Sequence, residues 1–177
     1  MKAIRVQKEV VKPVNWGMKM KKSGQLFHYH AWAVEKLLSY IEKEVPQAFS
    51  AQIVSVFPSI EETFFHQYEV DLLWYGRMNK EFQGEVKTLS SPGEYRQAFQ
   101  ELHMDIQRFI AESRDLTSLV HYRTSSGEEF TNQRGDLLQH LVNHGTYHRG
   151  NISAMLRQQG YIGISTDYIY FLREMDQ

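Results

Sequence analysis

The sequence predicts an all-α fold, a four-helix bundle with a short β-hairpin before the fourth helix. Three observations carry that prediction. Four long segments repeat their apolar residues at the three- and four-residue spacing of a helix with one inward face. Between the third and fourth segments the pattern switches to alternation, the period of a strand. Only 4 prolines and 11 glycines interrupt 177 residues, too few for a disordered or collagen-like chain.

The first helix is expected from about Leu26 to Glu44, with Phe27, His30, Ala31, Val34, Leu37, Leu38 and Ile41 on one stripe and Pro46 as the stop. The second should open near Pro58, since proline is tolerated in a first turn. Its inward face reads Ile60, Thr63, Phe64, Gln67, Val70, Leu73 and Trp74, and fades near Gly84. Ser91-Pro92-Gly93-Glu94 opens the third as a capping box, followed by Tyr95, Ala98, Phe99, Leu102, Ile106, Phe109 and Ile110. Val120, Tyr122 and Thr124 alternate with His121 and Arg123, and Ser125-Ser126-Gly127 offers a turn before Glu129-Phe130-Thr131. The fourth helix spans about Gln133 to Gln159 and stops at Gly160. Beyond it, Ser165 or Thr166 is expected to cap an apolar tail, Tyr168 to Leu172, that folds back on the bundle.

Charge divides the chain. Residues 1–25 carry seven bases and one acid, whereas the remainder carries thirteen bases and twenty acids. We therefore separate a basic N-terminal arm, 1–25, from a bundle domain, 26–177. Such an arm can bind nucleic acid, but no recognition-helix motif accompanies it, so a solvated tail lying on its own acidic body is preferred. No run approaches the roughly 18 apolar residues of a membrane span, and no apolar stretch follows the basic start, so a soluble cytoplasmic protein is expected.

The chain has no cysteine and eight histidines. That excludes disulfides, thiolate metal sites and a cysteine nucleophile, and leaves imidazole as the metal-binding and acid–base inventory. His144 and His148 are four apart, so both rings stack on one helix face, in the stripe of Leu137, Leu141, Ile152 and Met155. Histidines within a core stripe need a partner, either a metal or hydrogen bonds. His140 extends the series, but it lies about 12 Å from His148 along the axis, too far to share one ion. It is assigned a supporting or surface position. A third ligand must come from another helix: His66 is the best-placed candidate, and His30 competes. His28, His103 and His121 are expected at the surface. The zinc-protease motif H-E-x-x-H is absent, with Gly145 where its glutamate would stand.

The string Leu138-Gln139-His140-Leu141-Val142-Asn143-His144-Gly145-Thr146-Tyr147-His148-Arg149-Gly150-Asn151 resembles the signature of the DinB/YfiT-like family of metal-binding four-helix bundles. Phe57-Pro58-Ser59-Ile60 with Thr63 and His66 resembles its second-helix motif, and Tyr29-His30-Ala31-Trp32-Ala33 its first. Tyr122-Arg123-Thr124 with Gly127-Glu128 and Phe130-Thr131 resembles its hairpin. The match covers about 26 to 172, departing at Asn151, where relatives often carry glutamine, and at Ile164, where they carry proline.

The resemblance implies His66, His144 and His148 as ligands of a divalent transition metal, zinc or nickel, with His30 and His140 as candidates to support them. It further implies transfer of a low-molecular-weight thiol of bacillithiol type to a small-molecule electrophile. Metal-dependent hydrolysis through a metal-bound hydroxide would use the same ligands. A third reading is a stress-response or nucleic-acid-interacting bundle with a structural ion, whose mark would be His30 or His140 closing the fourth position. A homodimer is a candidate assembly, through Trp16 or Trp32, although core or tail packing is the assigned role of each. Tyr147 and Arg149 flank the ligands in sequence but point off their face, and are read as packing or hydrogen-bonding residues.

Overall fold

The computed structural model describes residues 22–113 and 115–176, so residues 1–21 of the basic arm, Trp16 among them, lie outside the described residues, while residues 22–25 already belong to the first helix. Helix α1 spans Lys22–Glu44, α2 Ile60–Met78, α3 Pro92–Glu112 and α4 Arg134–Gln158, with a short α5, Tyr168–Met175, at the end. Strands β1, Leu119–Arg123, and β2, Glu129–Gln133, form the antiparallel hairpin, with Tyr122 opposite Phe130. Helix α1 packs on α3 and α4, and α2 packs on the same two, giving the ring order α1–α3–α2–α4. The consecutive helices α1 and α2 are thus diagonal, and residues 45–59 cross the end of the bundle between them.

Local chemistry accounts for the helix ends. Ser59 takes an extended conformation (φ −151°) and its Oγ accepts from Glu62 N at 3.1 Å, so α2 starts at Ile60 and Pro58 lies outside it, one turn position later than the proline alone suggested. Ser91 caps α3 as expected, accepting from Glu94 N, but the Glu94 carboxylate reaches one residue further back, to Ser90 N at 2.8 Å. Helix α4 closes with a Schellman motif: Gly160 (φ +87°) donates to Arg157 O and Tyr161 N to Leu156 O. The tail does fold back, burying Phe171 against Trp32 and Tyr29 of α1. Its N-cap is Asp167, not Ser165 or Thr166, and Ser165 Oγ instead donates to the Asp167 carboxylate.

The core comprises the predicted stripes of α1, α3 and α4 and most of the expected face of α2, with Ile60, Thr63, Phe64 and Gln67 buried and Val70 and Trp74 packed partly buried against it. Leu73 is 50% exposed, whereas Tyr68, Asp71 and Leu72 are buried. The helix is apolar over so wide an arc that periodicity alone could not orient it. No helix among the described residues is long and apolar enough to cross a membrane.

Candidate metal centre

His66 projects from α2 toward α4, where His144 and His148 sit one turn apart. The three Nε2 atoms converge: His66 to His144 is 3.1 Å and His148 to His144 is 3.0 Å. Three nitrogens bound tetrahedrally to one zinc at about 2.0–2.1 Å would be roughly 3.3 Å apart, so the spacing fits a single ion with little movement. Among the described residues no fourth carboxylate or imidazole joins this group. Burial, reinforced by the neighbouring imidazoles, lowers His144 and His148 to about 4, so both are neutral at physiological pH, the form that donates a lone pair to a metal.

The second-helix motif explains how the site is framed. The Pro58-Ser59 turn that caps α2 lays the Phe57 ring 4.8 Å from His66 and 5.7 Å from His148, covering one side of the cluster. The Tyr147 ring lies 4.9 Å from that of His148. It is 58% exposed, so it borders the site from solvent and does not pack between helices as expected. His140 does not enter the cluster: its ring lies 5.8 Å from His144 and edge-on to Trp74.

A second polar cluster lies deeper, with one member from each bundle helix. His30 of α1 and His103 of α3 both bond Asp71 Oδ2 of α2, at 3.0 and 2.9 Å, while Arg149 Nη1 of α4 lies 3.3 Å from His30 Nδ1. Because a guanidinium only donates, His30 Nδ1 must accept, and its Nε2–H must then donate to the carboxylate. Burial lowers His30 to about 4, leaving the ring neutral. Burial by itself would raise Asp71, but its electrostatic interactions with His30 and His103 and the hydrogen bonds from both rings override it and hold the carboxyl below its usual range. These three ligand-type side chains could also hold an ion. However, the nitrogens facing Asp71 already carry protons and a guanidinium stands beside them, so the three-histidine group is the better metal site.

His103 is therefore a correction: it is 3% exposed, not a surface residue, and His28 is half-buried. His121 does lie at the surface, bonded to Thr131 across the hairpin. Arg149 is the hydrogen-bonding residue expected, whereas the pairing of Asp71 with His30 and His103 escaped the sequence reading. Its one legible sign was an aspartate four residues beyond Gln67 on the same helical face, a charge in a core stripe.

Gly145, between the ligands, is explained by the same packing. A Cβ there would overlap the His30 ring and approach Arg149 Nη1 to 2.8 Å. Gly145→Ala, which would gain helix propensity at an open site, should instead destabilise the protein by about 1–3 kcal/mol in chemical denaturation. Wild-type stability would show that α1 and α4 do not approach this closely.

Comparison with known proteins supports the fold and identifies the family. A family model described as DinB family matches residues 18–176. Protein DinB of Bacillus subtilis (strain 168) is 30% identical over 158 residues, covering 84% of this chain and 92% of that protein. The crystal structure of a DinB-like protein from Bacillus cereus ATCC 10987 shares the fold, with a TM-score of 0.62 at 20% identity, covering 84% of this chain and 99% of that one. With the family model running through all four bundle helices and both polar clusters, the chain belongs to the DinB family.

Proposed function

We propose that the protein is a metal-dependent enzyme that transfers a low-molecular-weight thiol to a small electrophile. His66, His144 and His148 would hold the ion, zinc or nickel. The observation that carries this reading is the convergence of three Nε2 atoms with no fourth protein donor among the described residues. A structural ion would ordinarily have its fourth position closed by protein. The two histidines that could have closed it are engaged elsewhere, His30 with Asp71 and Arg149, and His140 against Trp74.

A divalent ion in such a site favours the deprotonated, nucleophilic form of a thiol. The chain's own residues supply the rest. The three imidazoles point their Nε2 atoms toward one another, Phe57 covers two of the rings, and the exposed Tyr147 ring borders His148. Since the chain contains no cysteine, the sulfur must arrive on a cosubstrate.

The test is a panel of bacillithiol, glutathione and cysteine with a model electrophile, using zinc-loaded, nickel-loaded and chelator-treated protein. Thiol-dependent product from metal-loaded protein alone is expected. Absence of thiol-dependent turnover with either metal would overturn the reading and leave hydrolysis as the reaction to assay.

A further inference from the structure

A groove of about 650 Å³ begins at His66 and runs along the outer face of α2, walled by the segment that leads to α3. His66, Glu69, Leu73 and Arg77 recur at three- and four-residue spacing, so they lie on one stripe of the helix, and Lys80 lines the groove just past the helix end. Leu73 and Val86 line it and are 50% and 48% exposed, an apolar surface that no packing within the described chain covers. At the far end stand two cations. Arg77 lies about 16 Å from His66 along the axis, eleven residues at 1.5 Å each.

Arg77 is held for binding. Its guanidinium carbon is 4.4 Å from the Trp74 ring and 4.7 Å from that of Tyr122, and Nη2 donates to Arg123 O. Arg77 and Lys80 make no ion pair among the described residues. A guanidinium stacked and anchored in this way loses little freedom when it meets an anion. Glu69 sets the polarity: one turn from His66, it places a negative charge at the near end, so an anionic terminus is favoured only at the far one.

We propose that this groove receives the thiol cosubstrate, and that it selects an elongated thiol with an apolar body and a carboxylate about 16 Å from the sulfur. The sulfur end would sit at the three histidines, the body along Leu73 and Val86, and the carboxylate at Arg77 and Lys80. This rests on the reading of the His66, His144 and His148 site as one for a thiol.

The experiment measures binding, not turnover. Cobalt-substituted protein is titrated at low salt with mercaptoundecanoic acid, mercaptoundecanol and mercaptopropionic acid, following the thiolate-to-metal absorption band. The long acid should bind about tenfold more tightly than the long alcohol, as a charge-assisted pair at the far end would give. The short acid should gain nothing from the cations. In Arg77→Gln with Lys80→Gln the preference should vanish while the alcohol keeps its affinity. Lys80→Glu, which leaves the Trp74–Arg77–Tyr122 stack intact, should reduce the preference severalfold. Equal binding of long acid and alcohol, an equal gain for the short acid, or a preference that survives these substitutions would overturn the groove assignment. No band with any thiol would overturn the thiol reading beneath it.

Discussion

His144→Ala is expected to lose metal affinity by more than about 100-fold, the upper range for removing even a residue that only supports a ligand. His144 is the hub of the cluster, since both other Nε2 atoms contact it and the remaining pair is not bridged without it. The buried Nδ1 atoms of His144 and His148 have no hydrogen-bond partner among the described residues. Neither imidazole therefore gains the basicity that a carboxylate behind it would confer, and two remaining ligands cannot compensate for the third. Metal analysis of protein purified without chelator checks this, with His140→Ala as the control that should keep stoichiometric metal. Full retention of metal by His144→Ala would remove it from the ligand set.

Asp71→Asn is expected to cost about 3–5 kcal/mol of folding stability, the range for removing one partner from a buried charged network. For a domain of this size that lowers Tm by roughly 10 °C. The asparagine is nearly isosteric, so the loss reports charge and hydrogen bonding, not a cavity. Two imidazole N–H groups now end on a single carboxylate oxygen. The amide offers them a weaker acceptor, and Arg149 keeps a buried positive charge with its counter-ion gone. Thermal unfolding of the metal-free protein measures the effect apart from metal binding. A Tm within a degree or two of wild type would mean that the cluster contributes little and that the bundle is held by its apolar core alone.

The two clusters differ in how legible they were, and the difference is physical. The pairing of His144 with His148 is an i, i+4 relation, which helical geometry imposes wherever the helix forms. The Asp71 network joins four residues on four helices, and nothing local in sequence says which helices are neighbours. His103 illustrates the point. It follows Phe99 by four residues and precedes Ile106 by three, so it sits in the buried stripe, yet a histidine is equally common at a helix surface. Only the presence of Asp71 opposite makes its burial tolerable.

In α2 most of the expected face is buried, but Leu73 turns out of it, for a related reason. Apolar and aromatic residues occur nearly all round it, and its outward-facing Leu73 belongs to the groove, not the core. Hydrophobic period locates a core face only when the other face is polar.

The helices, the hairpin between α3 and α4, and the lack of any thiol of the chain's own are legible in the residues alone. So are two imidazoles on one face of α4. These follow from local periodicity, capping and composition. The tertiary structure alone decided the ring order α1–α3–α2–α4, which brings His66 to the α4 pair, joins His30, Asp71, His103 and Arg149 across the core, and opens the groove along α2. Such contacts are set by which faces bury against each other, a choice made by the whole apolar surface at once and written in no single segment.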